Sequence, residues 1–182
     1  NINVPQLLLK TPSSEVRLLA MVPWSSFDEN PEGNMRVLLT ASVGKEDVMT
    51  FAGELPPDFQ KAYPQKPLSL TAGVEGNLSS MLLRQLKGEL PGTFRMDVSG
   101  TMQSLTDSIR RSGKLNLKAE TGNLDFLLSM LPAAERHRYN IPSGIKLTGE
   151  AALKNNEYKA DLLLREDKGK VLLTASFNPG KE

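Results

Sequence analysis

Gly-Asn-Leu-Asp-Phe-Leu-Leu-Ser-Met-Leu-Pro-Ala-Ala-Glu-Arg-His-Arg-Tyr-Asn-Ile-Pro-Ser-Gly-Ile-Lys-Leu-Thr-Gly, residues 122–149, is the stretch that decides how this chain is read. It has an earlier counterpart. From Gly44 the chain runs through an apolar segment ending at Leu55-Pro56, a polar segment carrying Tyr63, and then Pro67 and Leu70-Thr71. The marks Gly44/Gly122, Pro56/Pro132, Tyr63/Tyr139, Leu70/Leu147 and Gly92/Gly169 all recur at a spacing of about 77 residues, to within a single residue. A constant spacing of that kind is the signature of a duplicated unit, which a shared composition alone would not give.

Working outward, the first full unit covers residues 35–112 and the second residues 113–182. Residues 1–34 read as the closing half of a preceding unit, because Val16, Leu18 and Ala20 fall on Phe94, Met96 and Val98. A unit entered at its middle reads as an excerpt of one continuous β array.

Within a unit the period of the apolar residues changes in a fixed order. Val37, Leu39, Ala41 and Val43 alternate as in a strand. Val48, Phe51, Ala52 and Leu55 then follow helical spacing, with Asp47 near the helix start and Pro56-Pro57 as the stop. A proline-bounded polar segment follows, with room for one helical turn around Phe59 to Tyr63. Leu68, Leu70, Ala72 and Val74 alternate again, up to Gly76-Asn77. Residues 81–90 fit a strand or a helix; Pro91-Gly92, a hairpin turn before the alternating Phe94, Met96 and Val98, favours the strand.

The second unit repeats the plan. A strand carries Leu115, Leu117 and Ala119, a short helix covers residues 124–131, and residues 136–140 are polar. Three strands close the unit, at residues 145–153, 158–165 and 170–177, with turns at Asn155-Asn156 and at residues 167–169. With the two strands at residues 2–9 and 15–22, ten strands joined mostly by short turns are expected to pair with their sequence neighbours. The fold class is therefore mainly β with short helices: an extended, twisted antiparallel sheet of repeated units, curved into an open groove.

Composition narrows the functional classes. With 22 basic and 21 acidic residues the net charge is +1, so the chain has no electrostatic footprint for nucleic acid. There is no Cys, which removes disulfides, thiol catalysis and Cys metal ligands. No stretch approaches the roughly 20 apolar residues of a membrane-spanning helix, and the first residues are not a signal peptide.

The spellings Leu-Pro-Gly-Thr-Phe-Arg-Met-Asp-Val-Ser-Gly (90–100), Gly-Lys-Leu-Asn-Leu-Lys-Ala (113–119), Ile-Lys-Leu-Thr-Gly-Glu-Ala (145–151) and Leu-Lys-Thr-Pro-Ser-Ser-Glu-Val (9–16) are degenerate meander motifs spread over nearly the whole chain. Together they resemble the AsmA-like superfamily, and within it the long TamB-type envelope proteins of Gram-negative bacteria. The resemblance implies a rolled sheet with an aliphatic lining. It also implies a periplasmic location, within a long parent protein anchored in the inner membrane. The partners it implies are phospholipid acyl chains and an outer-membrane assembly factor of the Omp85 type. The helix and Tyr-containing polar segment in each unit depart from the plain family pattern.

The residues expected on the apolar, lipid-facing side are Leu70, Phe94, Met96, Val98, Leu115, Leu117, Ala119, Ile145 and Leu147. A sheet with one aliphatic face must cover it with a second layer or with a ligand. An acyl-lined groove and a sheet closed on its own core both satisfy that. The second functional reading is a chaperone-like module that engages outer-membrane proteins by adding strands at its open edges.

Enzymatic constellations are weak. Ser42-Val-Gly-Lys45 has the spacing of acyl-enzyme hydrolases, without their companion motifs. His137 is the single His and reads as a solvated loop residue. Asp28, Glu29 and Glu32, and Glu166 with Asp167, read as solvated turn carboxylates; Arg110-Arg111 and Arg136 with Arg138 read as solvated basic clusters. Trp24, the single Trp, reads as a local packing anchor. No catalytic residue, metal ligand or cofactor is assigned.

Overall fold

The computed structural model describes residues 1–28, 31–53, 55–107, 109–154, 157–166 and 169–178. Asn155-Asn156, Glu29 and Asp167, singled out above, lie outside the described residues. Ten strands form one sheet in strict sequence order: β1 (Ile2–Lys10), β2 (Glu15–Val22), β3 (Met35–Val43), β4 (Leu68–Gly76), β5 (Ser80–Leu90), β6 (Phe94–Gln103), β7 (Ser112–Thr121), β8 (Lys146–Lys154), β9 (Glu157–Glu166) and β10 (Gly169–Phe177). Every neighbouring pair is antiparallel, and β1 and β10 are the free edges of an open sheet.

The helical segments are shorter and more numerous than the apolar periodicity suggests. After β3 come α1 (Lys45–Phe51) and α2 (Pro57–Ala62); after β7 come α3 (Asp125–Leu128) and α4 (Ala133–Arg136). α2 realises the helical turn allowed around Phe59 to Tyr63, whereas α4 lies beyond the single helix expected in the second unit. Gly53, at a φ of +72°, ends α1 before Leu55 can extend it. Pro57 stands at the first helical position of α2, where its fixed φ favours a new start, and Pro132 is the N-cap of α4 as Pro56 is of α2. A 3₁₀ turn, Trp24–Phe27, links β2 to β3, and Trp24 is 60% exposed rather than packed.

The ambiguous segment is strand β5. It carries an extra residue against both neighbours: Leu83 and Leu86 face Gly100 and Val98 on one side, and Val74 and Ala72 on the other. That bulge explains the mixed period, because it resets the alternation halfway along the strand. β1 has the same irregularity, with Val4 and Leu7 facing Ala20 and Leu18.

Two glycines show how the units interlock. Gly44 and Gly122 each follow the first strand of a unit and press against the hairpin turn of the two strands before it. Gly44 N–H donates to Ser14 Oγ at 2.9 Å, and Gly122 N–H donates to the Thr93 carbonyl at 2.6 Å. A Cβ on Gly44 would stand 2.5 Å from the Ser13 carbonyl oxygen, and one on Gly122 would stand 2.2 Å from that of Gly92. Both contacts are with backbone, which cannot swing aside. Gly122→Ala is therefore expected to destabilise the chain by ~1–3 kcal/mol through overpacking. Gly169→Ala, placed where nothing lies within 4 Å, should change urea unfolding by less than ~0.5 kcal/mol.

Candidate functional site: an apolar trough

The register places aliphatic residues opposite aliphatic residues across the whole sheet. Leu18 faces Leu39 and Leu39 faces Ala72; Ala72 faces Leu86, Leu86 faces Val98 and Val98 faces Leu117. The row continues through Gly149 and Leu162 to Leu173. One face is thus apolar from β1 to β10. The other carries charged pairs across the strands, including Arg36 and Arg84 on Glu75 at 3.0 and 2.5 Å and Lys114 on Glu150 at 2.7 Å. Such solvated pairs contribute ~0–1 kcal/mol each, so the burial of the apolar face dominates the sheet's energetics.

All nine expected lining residues fall on that face or in line with it. Met96 faces Ala119, and Ala119 faces Leu147. Leu115 faces Gly100, and Leu70 faces Gly88, itself opposite Met96. Ile145 lies one residue before β8, tied to β7 by exchange with Thr121: its carbonyl accepts from Thr121 N–H at 2.9 Å, and its N–H donates to Thr121 Oγ1 at 3.1 Å. Each of the nine is half-buried, while their flanking Lys118 and Lys146 are exposed.

The curl of the sheet encloses a trough at the β6–β10 half. Its volume is about 440 Å³, lined by Met102, Leu115, Leu153, Ala160 and the ring pair Tyr158 and Phe177, whose centroids are 6.3 Å apart. At the other end of the strands the trough is stoppered. Phe59 and Tyr63 of the first unit meet Phe126 of the second, with centroids 5.5 Å from each to Phe126. Leu90, 1% exposed, lies beneath them, with Phe94 and Leu68 packed against the cluster. Phe94 therefore belongs to the stopper as well as to the trough wall.

Polar contacts hold the stopper down. Arg136 bridges to Asp58 at 2.8 Å, joining the helices of the two units, and donates to the carbonyls of Leu131 and Ser129 at 2.9 and 3.1 Å. This arginine of a basic cluster is thus engaged within the chain rather than solvated. Lys45 Nζ donates to the Tyr63 carbonyl at 2.8 Å, tying α1 to the end of α2, so it is not paired with Ser42 as a catalytic amine. Asp47 accepts from the hydroxyls of Thr11, Ser13 and Ser14, which fastens α1 to the β1–β2 turn. Those hydroxyls hold its carboxyl below the usual carboxylate range.

His137 is exposed at the end of α4. Arg110 pairs with Asp107, whose carboxyl is lowered to about 2 by Arg110 and by the N–H groups of residues 109 and 110. Among the described residues no group of His, Asp and Glu is arranged to hold a metal ion. No helix among them is long and apolar enough to cross a membrane. No protein-family model, curated protein or solved structure matches the chain. The class that fold and site define is an open antiparallel β-sheet with a one-sided apolar trough.

The aromatic stopper was not legible in the sequence, because Phe59, Tyr63 and Phe126 lie in different units and only the packing of α2 on α3 joins them. Phe59→Ala is expected to cost ~3 kcal/mol, read by urea unfolding. Because the Asp47 carboxyl is depressed in the folded chain, its contribution is fully present above the unfolded value and fades as pH falls through the folded one. Acid unfolding of the Asp47→Asn variant should accordingly be less pH-sensitive in the acid range than that of the parent chain.

Proposed function

We propose that this chain is a non-enzymatic segment of an AsmA/TamB-like envelope protein whose trough carries phospholipid acyl chains between the inner and outer membranes. The observation that carries the reading is the aliphatic row that runs unbroken across the strand register, half-buried through the middle of the sheet and packed under helices at the stoppered end. An acyl chain laid along such a surface gains ~0.8 kcal/mol for each methylene removed from water. The gross gain for about ten methylenes is ~8 kcal/mol, enough to hold a chain without any charged anchor. The periplasmic setting and an inner-membrane anchor elsewhere in the parent come with the resemblance.

The test is photo-crosslinking in cells, with probes at Leu117 and Leu147 and controls at Lys118 and Lys146, the adducts being read by mass spectrometry. Lipid adducts are expected at the two leucines and not at the two lysines. Leucine positions that stay lipid-free in a folded protein would overturn the conduit and leave the apolar face as scaffold. A probe at Leu90, beneath the stopper, should remain free of lipid until Phe59 is removed.

A further inference from the structure

The outer face of the sheet is not uniformly polar. Leu19 and Leu38 face one another across β2 and β3, with Gly73 of β4 next in the row. In the neighbouring row Met21, Arg36, Glu75 and Leu82 follow one another across β2 to β5. The four apolar side chains point away from the trough, because each alternates with trough residues on its own strand. Leu19 is 44% exposed, Met21 57%, Leu38 39% and Leu82 36%. Each of β2 to β5 is paired on both sides, so strands added at either edge of the sheet would leave this island uncovered.

The repeat supplies an internal control. At the unit spacing Leu19 falls on Asp97, Met21 on Ser99, Leu38 on Asn116 and Leu82 on Lys159. Trough residues keep their apolar character over the same shift, as Leu18, Leu39 and Leu70 fall on Met96, Leu117 and Leu147. The architecture therefore requires no apolar residue at the four outer positions, and the second unit has none there. A cluster of exposed hydrocarbon with a polar rim marks an interaction site.

We infer that the island docks an amphipathic helix of a partner protein, whose apolar stripe is bordered by carboxylates. The backbone groups of β2 to β5 are spent in their own ladders, so an incoming strand finds nothing to pair with. A helix satisfies its own backbone and brings only side chains. The island spans three strand spacings, about 14 Å, which suits one helix about 10–12 Å across. Gly73 leaves a notch, since the Cβ it lacks would come no closer than 3.7 Å to Leu38 or Arg84. An open hollow of about 440 Å³ lies among Met21, Arg36, Glu75 and Leu82. Notch and hollow are seats for anchoring side chains.

The charges around the island choose the helix. Glu15 is shared by Lys10 and Arg17, and Glu75 by Arg36 and Arg84. Four cations on two carboxylates leave two positive charges in excess, one beside Leu19 and one between Met21 and Leu82. Further along the face Lys87 on Asp97 and Lys114 on Glu150 pair one to one. The local excess favours acidic borders on the incoming helix and sets two copies of this surface against each other.

The test uses the whole chain and two synthetic helices of about 18 residues, with one leucine stripe bordered by glutamates or by lysines. The labelled glutamate peptide should bind at least about tenfold more tightly than the lysine peptide at low salt. That preference should shrink as salt is raised. Leu19→Ser with Leu38→Ser should weaken binding at least about tenfold, and Asn116→Ser, at the counterpart position of the second unit, should not. Arg36→Gln with Arg84→Gln should remove the preference for glutamate with urea unfolding little changed, a readout that stands even if the serine variant unfolds. Equal binding of the two peptides, no binding, or binding lost only in a folded Leu117→Ser variant of the trough would overturn the proposal. A concentration-dependent mass abolished by Leu38→Ser would make the occupant a second copy and overturn it. Binding of phosphatidylglycerol vesicles through Leu38, without the peptides, would overturn it in favour of a membrane.

Discussion

The structure depends on register: apolar residues must face apolar residues across nine strand junctions. A slip of one residue at any junction would carry a whole strand's aliphatic set to the charged side. Most of the helpful cross-strand pairs are hydrocarbon on hydrocarbon, as in Leu18–Leu39 and Val98–Leu117. Such contacts tolerate substitution in identity but not in phase. The bulges in β1 and β5 absorb the one residue that would otherwise break the phase, and they do so at corresponding places in the chain.

Curvature turns this one-sided sheet into a site. Through the middle of the sheet the apolar residues are half-buried, while those of β10 and most of β1 are exposed. Ordinary two-layer folds cover such a face with another sheet or with helices. Here the α-helices cover one end, where Phe59 and Tyr63 of the first unit meet Phe126 of the second in a shared cluster. The helices thus unite the units and close the trough at one end, leaving a length of aliphatic wall whose natural complement is another hydrocarbon surface.

The charged face has the opposite logic. Its lysines, arginines and carboxylates pair across strands in the solvent, where each pair is worth little, and their main effect is to keep that face wet. Arg136 and Lys45 are exceptions, since both spend their donors on carbonyls and on Asp58 at the stopper. Residues that resemble a headgroup-binding cluster or a catalytic pair in one dimension are structural ties in three.

The alternation of Leu115, Leu117 and Ala119 against Lys114, Lys118 and Glu120 by itself determined a strand and its apolar face, because side chains in a strand must point to opposite sides. The same reasoning placed ten strands and paired the short-turn neighbours. Helix lengths were less legible: Gly53 cut short a run whose apolar spacing continued to Leu55, and the run expected over residues 124–131 forms a helix only over Asp125–Leu128. The tertiary structure alone decided that Phe59, Tyr63 and Phe126 form a stopper, that Met102, Leu153 and Tyr158 line one trough, and that Trp24 is exposed. Those outcomes rest on contacts between segments far apart in the chain, and local periodicity carries no information about which distant surface a side chain will meet.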